Sequence, residues 1–169
     1  MTVAVLCAAR NSVYHTLAGV DVYDIDRDAR SYRGTDPVVA HPPCRSWSAT
    51  CGHQSKAPPE ERELALWCCE VLKKNGGVLE QPAHSRLFDA AGLPLPGESG
   101  DELWSQQVWQ NWWGYGVKKK TWLCFSRINP YQVELPFRLN NSRGCLRKWN
   151  KLSKHQRAAT CPEPGEVAD

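Results

Sequence analysis

The chain has 169 residues, enough for one ordinary domain with one sizeable core. With 21 Lys and Arg against 18 Asp and Glu, its net charge is +3, too small by itself to argue for a nucleic-acid partner. No apolar run reaches membrane-spanning length, and the amino-terminal run, which no charged leader precedes, is too short for a secretory signal.

A cytoplasmic, reducing setting is therefore expected for the eight cysteines at 7, 44, 51, 68, 69, 124, 145 and 161. Cys68 and Cys69 are adjacent within a helical pattern, which does not suit a disulfide framework. Five tryptophans, at 104, 109, 112, 113 and 122, crowd one region and suggest a packed wall or an aromatic pocket.

Residues 2 to 9 read as a first buried strand, followed by a short helical turn around Ser12 to Leu17 that Gly19 ends. Val20 to Asp26 alternates like a second strand and finishes in Asp24 and Asp26. Carboxylates there suit either ribose hydroxyls or a strand-end turn. Val38-Val39-Ala40 is the next apolar run, and Pro42-Pro43 cannot continue it as a central strand. Cys44 thus stands on a loop at a strand's carboxyl end, the edge at which open α/β sheets bind ligands. A thiol there is a nucleophile or a buried structural cysteine. His41, Cys44, Cys51 and His53 are zinc-ligand types, but their spacing is not a usual zinc pattern, and no metal is assigned.

Pro58 to Asn75 has the marks of a helix. Glutamates 60, 61 and 63 lie at its start, Lys73 and Lys74 at its end, and Gly76 follows as a stop. Leu64, Trp67, Cys68, Val71 and Leu72 are expected as its sheet-facing stripe. Gly77 to Pro82 reads as a strand parallel to the one before Cys44, which brings Glu80 to the same edge. A short helix is expected over Ala83 to Gly92 and a loop over Leu93 to Gly100. Trp104 to Trp113 fits helix or strand, and Lys118 to Phe125 reads as a strand with a basic start. Beyond it, Arg138, Arg143, Arg147, Lys148, Lys151, Lys154 and Arg157 run without an acidic residue between them and include Trp149. That composition suits a solvated tail or contact with nucleic acid lacking sequence preference.

Three stretches carry a resemblance. Pro43-Cys44-Arg45-Ser46-Trp47-Ser48 resembles the Pro-Cys-Gln-x-Phe-Ser motif of the DNA cytosine-5 methyltransferases, with Arg45 for Gln. Glu80-Gln81-Pro82 resembles that family's Glu-Asn-Val or Glu-Asn-Pro motif, with Gln for Asn. Tyr115-Gly116-Val117 and the lysines that follow are similar to its Tyr-Gly-Val-Pro-Gln-x-Arg-x-Arg stretch, with Lys where the family has Arg. The likeness covers roughly residues 2–130 and looks closest to compact methyltransferase-like proteins of bacteriophages, which carry an Ala-His-Pro-Pro-Cys run. Two departures stand out: Ala8-Ala9-Arg10-Asn11-Ser12 replaces a glycine-rich first loop, and the interval from Asp26 to Cys44 is short.

The resemblance implies an α/β fold with a Rossmann-like, mostly parallel sheet. Residues 1–130 would form a reduced methyltransferase-type core and residues 131–169 a basic C-terminal extension. It implies that Cys44 adds to carbon 6 of cytosine in DNA and that Glu80 holds ring nitrogen 3, with Ser48 and Lys120 beside them. S-adenosylmethionine would be the cofactor, held by Asp24, Asp26 and Pro42. Arg45, Lys118, Lys119, Arg143, Arg147, Lys148 and Lys151 would meet DNA or a pyrimidine nucleotide. Two alternatives stay open. One is a pyrimidine nucleotide-modifying enzyme with another donor. The other is a non-catalytic nucleic-acid or protein binder, such as a phage counter-defence factor.

Overall fold

The computed structural model describes residues 2–49 and 56–132. The chain is an α/β protein built on one seven-stranded sheet: β1 (Val3–Leu6), β2 (Val20–Tyr23), β3 (Val38–Ala40), β4 (Gly77–Pro82), β5 (Ser99–Gly100), β6 (Leu103–Trp109) and β7 (Lys120–Ser126). The strand order is β2-β1-β3-β4-β7-β6-β5. The first four are parallel neighbours. β7 runs antiparallel to β4, and β5 antiparallel to β6, so the sheet is mixed. Ala40 pairs with Leu79 and Leu6 with Ala40, so β1 and β3 end level with each other, while β4 runs three residues further, to Pro82, along β7.

Two strands end earlier than their patterns suggest, each for a local reason. β1 stops at Leu6 because Cys7 takes φ 61°, a left-handed conformation that turns the chain out of the sheet. β2 stops at Tyr23 because the Asp24 carboxylate accepts the Asp26 and Arg27 N–H groups at 2.9 and 3.1 Å, closing a turn. The connections from β1 to β2 and from β2 to β3 hold only 3-10 turns, Val13–Thr16 and Ala29–Ser31.

Among the described residues the long helix is α1 (Pro59–Asn75), the crossover between β3 and β4. Glu60 and Glu61 stand in its first turn and Lys73 and Lys74 in its last, complementing the dipole. Gly76, at φ 83°, closes it by donating to the Leu72 carbonyl at 2.8 Å. The face on the sheet is Ala65, Cys68, Cys69 and Leu72, each fully buried. The expected stripe is rotated in part: its Cys68 and Leu72 lie on that face, while Leu64, Trp67 and Val71 pack against the core from the flank and are only partly covered. The small Ala65 and cysteines allow close approach to the sheet, which the bulkier flanking side chains would prevent. Gly77 follows at the tightest point, where a Cβ would stand 2.0 Å from the Val38 carbonyl oxygen.

The short helix expected over Ala83 to Gly92 contracts to α2 (Leu87–Ala90), which buries Leu87 and Phe88. Trp104 to Trp109 belongs to a strand and Gln110–Trp112 to a 3-10 turn. The five tryptophans divide between two compact parts of the chain, Trp104 and Trp122 in one and Trp109, Trp112 and Trp113 in the other. Trp122 packs edge-on against Phe88 at 5.2 Å and donates to Gln107 Oε1 at 3.3 Å, whereas Trp112 and Trp113 meet each other at 5.9 Å.

The chain divides into two compact units: residues 1–107 with 121–134, and residues 108–120 with 135–169. The second unit, as far as it is described, is a turn in which Gln110 N–H donates to the Lys119 carbonyl at 3.0 Å. No helix among the described residues is long and apolar enough to cross a membrane.

Candidate functional site

The loop after β3 is held from beneath. Gln81, almost fully buried on β4, donates its amide to the Pro42 carbonyl at 2.7 Å and accepts from Ser85 Oγ at 3.1 Å. Trp47, three residues beyond Cys44, is buried, with the Arg62 guanidinium 4.1 Å over its ring. The Trp47 backbone N–H donates to the Cys44 carbonyl at 3.0 Å, and the Trp47 carbonyl accepts from the Arg86 backbone N–H at 2.9 Å. A proline pair removes two donors, so a buried amide and an aromatic plug supply the order that strand pairing elsewhere provides. Cys44 is held part-exposed between them.

Glu80 comes to the same edge because its strand alternates. Leu79 and Gln81 face inward, and Glu80 between them keeps a side chain 20% exposed. Opposite it, on the chain leaving β3, is His41, whose N–H donates to the Leu6 carbonyl at 2.9 Å. His41 Nδ1 lies 3.6 Å from Glu80 Oε2 and its Nε2 lies 3.0 Å from Tyr14 Oη. Burial, with the Glu80 carboxylate as a second cause, holds the Tyr14 phenol above its ordinary range. The phenol therefore keeps its proton and can donate to Nε2 or accept from it, according to the imidazole tautomer. Tyr14, His41 and Glu80 form a chain of polar groups ending beside the Cys44 loop. His41 stood out in the sequence as a zinc-ligand type and as part of the Ala-His-Pro-Pro-Cys run, not as a partner of Glu80; Cys51 and His53 of the zinc-ligand set lie outside the described residues. The missed signal was register: a residue one step past Ala40 must face a residue one step past Leu79.

A second thiol occupies this edge. Cys7 Sγ lies 3.7 Å from Cys68 Sγ. That contact lowers Cys7 and, together with burial, pushes Cys68 up, so Cys7 ionises first of the pair.

The other residues singled out from the sequence fall into three groups. Asp24 and Asp26 do sit at the end of β2, but both are engaged. Asp24 closes the turn and lies 3.4 Å from His15 Nε2, while Arg10 grips Asp26 through two bonds of 2.6 and 2.5 Å and holds its carboxyl below the usual range. The Pro42 carbonyl is taken by Gln81. A ribose held here would have to compete with Arg10 for the exposed Asp26 carboxylate and with the turn for Asp24. Arg45 pairs with Glu61 on α1 through both its Nε and Nη2, and the Ser48 carbonyl lies 3.4 Å from Arg86 Nη2. Lys118, Lys119 and Lys120 belong to the second unit, where Lys120 Nζ stands 5.9 Å over the Trp109 ring. Arg143, Arg147, Lys148 and Lys151 lie outside the described residues.

No family model matches the chain, and no curated protein matches it.

Proposed function

We propose that the protein is an enzyme that modifies carbon 5 of a cytosine base by transient addition of Cys44 to carbon 6. The observation that carries the reading is the meeting of Glu80 and His41 at the carboxyl ends of adjacent parallel strands, at the base of the Cys44 loop. The reversal of strand order between β1 and β3 supports a Rossmann-like core, with its crevice at this edge. The three motif likenesses support the methyltransferase-type reading, with DNA as the substrate and the basic tail as its contact.

The chemistry follows from the groups present. The Cys44 thiol loses its proton to solvent and the thiolate forms a bond to carbon 6. Glu80 gives a proton to ring nitrogen 3, and the displaced electron pair makes carbon 5 nucleophilic. Carbon 5 then takes the one-carbon group from its donor, whose bond to that carbon breaks with the electron pair staying on the departing donor, and loses its original proton to solvent. Nitrogen 3 returns its proton to Glu80, the carbon–sulfur bond breaks, and the thiolate is restored. His41, whose Nδ1 lies 3.6 Å from Glu80 Oε2, orients that carboxyl group. Glutamate and cysteine must act on one ring together, so their common edge is what the mechanism needs. The target base has to leave a duplex stack before this geometry is reached.

One observation favours a second reading for the donor. With Asp24 and Asp26 both engaged, the same Cys44 and Glu80 chemistry suits a one-carbon donor other than S-adenosylmethionine.

Exchange at carbon 5 tests the reading without any donor. In deuterated water the adduct takes a deuteron at carbon 5, so the protein should label a single-stranded cytosine oligonucleotide or free deoxycytidine monophosphate there. Cys44→Ala and Glu80→Gln should abolish labelling, while Cys7→Ser should retain it. Absence of exchange with both substrates, or exchange that survives Cys44→Ala, refutes the proposal.

A further inference from the structure

A second site lies at the opposite edge of the sheet, where β3 and β4 begin. Beside its buried face α1 carries Trp67 and Val71, partly buried against the core, and the exposed Glu70 and Lys74. They face the segment that joins β2 to β3, where Arg30, Tyr32, Arg33 and Gly34 form the other wall of a cavity of about 550 Å³. That volume falls in the range of roughly 300–1,000 Å³ usual for small-molecule sites.

The walls are fixed by hydrogen bonds. Asn75 Nδ2 donates to Tyr32 Oη at 3.2 Å and to the carbonyls of Gly34 and Asp36, both at 3.1 Å. Tyr32 Oη donates to the Asp36 carbonyl at 2.9 Å, and its ring packs edge-on against Tyr23. Arg30 Nη2 donates to the Glu60 carbonyl at 2.5 Å, and Arg33 Nη1 to the carbonyls of Arg30 and Tyr32. Each guanidinium is thus oriented through one nitrogen and keeps further donors.

The charge balance is one-sided. Arg30, Arg33 and Lys74 are three cations, and among the described residues no carboxylate lies within ion-pair distance of any of them. The one lining carboxylate, Glu70, lies 3.1 Å from Lys73 Nζ. Guanidinium groups match phosphate oxygens in a fork, and an indole offers a flat face on which a base stacks. An apolar ligand would leave the cations unpaired, and an acidic peptide would have no use for the indole. We infer that this cavity binds a nucleoside phosphate, with the base against Trp67 and the phosphate on Arg33 and Lys74, while Arg30, held at the Glu60 carbonyl near the start of α1, adds positive charge at the far end. The site stands apart from Cys44 and does not depend on the chemistry assigned there. The nucleotide is free in solution or one unit of a single strand, since both offer the same phosphate and base.

The full chain is titrated by calorimetry with adenosine 5′-monophosphate, a short single-stranded oligodeoxynucleotide and inorganic phosphate. Binding of at least one of the two nucleotide ligands is expected, the tighter one identifying the source, with inorganic phosphate weaker than either. The double variant Arg33→Glu, Lys74→Glu should weaken binding at least tenfold, and both residues are exposed, so the fold is retained. Trp67→Leu should weaken it roughly 5- to 100-fold, as expected for loss of one stacked base. Cys44→Ala should bind as the wild type does even if carbon-5 exchange is never seen. No binding of either nucleotide ligand, binding undiminished by the charge reversal, or inorganic phosphate bound as tightly as the nucleotides would overturn the assignment.

Discussion

His41 Nδ1 lies 3.6 Å from Glu80 Oε2, although the two residues are far apart in the chain and neither strand pattern singles out the histidine. The contact follows from parallel register: Ala40 pairs with Leu79, so the next residue on each strand meets its counterpart at the edge. His41 acts on the proposed reaction through Glu80 and is a positioning residue. His41→Gln is expected to lower carbon-5 exchange roughly 10- to 100-fold, mainly in kcat with KM little changed, and Tyr14→Phe to lower it less than about 10-fold. A wild-type rate in His41→Gln would show that Glu80 needs no support.

Native alkylation with peptide mapping should separate the thiols. Cys44 and Cys7 are part-exposed and should label, whereas Cys68, Cys69 and Cys124 are buried and should stay unmodified until the protein unfolds. Burial pushes Cys69 up to about 12 and Cys124 up to about 11, so neither presents a thiolate near neutral pH. Labelling of Cys69 or Cys124 in folded protein, or a Cys44 that resists the reagent, contradicts the placement of these groups.

The same burial sets an alkaline limit on stability. Above pH 9 the unfolded chain loses these thiol protons while the folded chain keeps them, so the unfolded state binds fewer protons and stability falls as pH rises. The fall runs from 9 to about 11 for Cys124 and to about 12 for Cys69. Each thiol removes up to roughly 1.4 kcal/mol per pH unit in its window. Burial raises Tyr23 and Tyr32 as well, and they act in the same direction. Urea denaturation at stepped alkaline pH should show a shallower decline in Cys69→Ala than in the wild type. Equal slopes in the two proteins would remove Cys69 from the account.

Gly77 is predicted to tolerate no side chain. Its φ is 121°, and a Cβ would meet the Val38 carbonyl oxygen at 2.0 Å and the Val38 nitrogen at 2.6 Å, both of them backbone atoms in the pairing of β3 with β4. Gly77→Ala should cost at least roughly 3 kcal/mol in denaturant unfolding. By contrast, Gly92→Ala, at φ 60° with nothing within 4 Å of the added Cβ, should cost only roughly 1 kcal/mol. Comparable losses at the two positions would mean that backbone strain alone, not the approach to Val38, governs Gly77.

The sequence by itself determined the elements whose signals are local. The charge order and terminal glycine of α1, the strand over Gly77 to Pro82 and the proline stop before Cys44 all depend on neighbours a few residues away, and all are present in the structure. From these it followed that Cys44 and Glu80 share an edge. The tertiary structure decided what depends on distant partners. Arg10 spans the gap to Asp26, Arg45 reaches Glu61, and Tyr14 meets His41, and none of these pairings has a spacing that a linear pattern records. Carboxylates and guanidinium groups that look open in a sequence are committed once long-range packing brings opposite charges together. The rotation of α1 is of the same kind. Several apolar stripes are available on one helix, and the choice among them rests on which side chains are small enough to meet the sheet. That choice put Ala65 and the cysteines inside and left Trp67 at the rim of a cationic cavity.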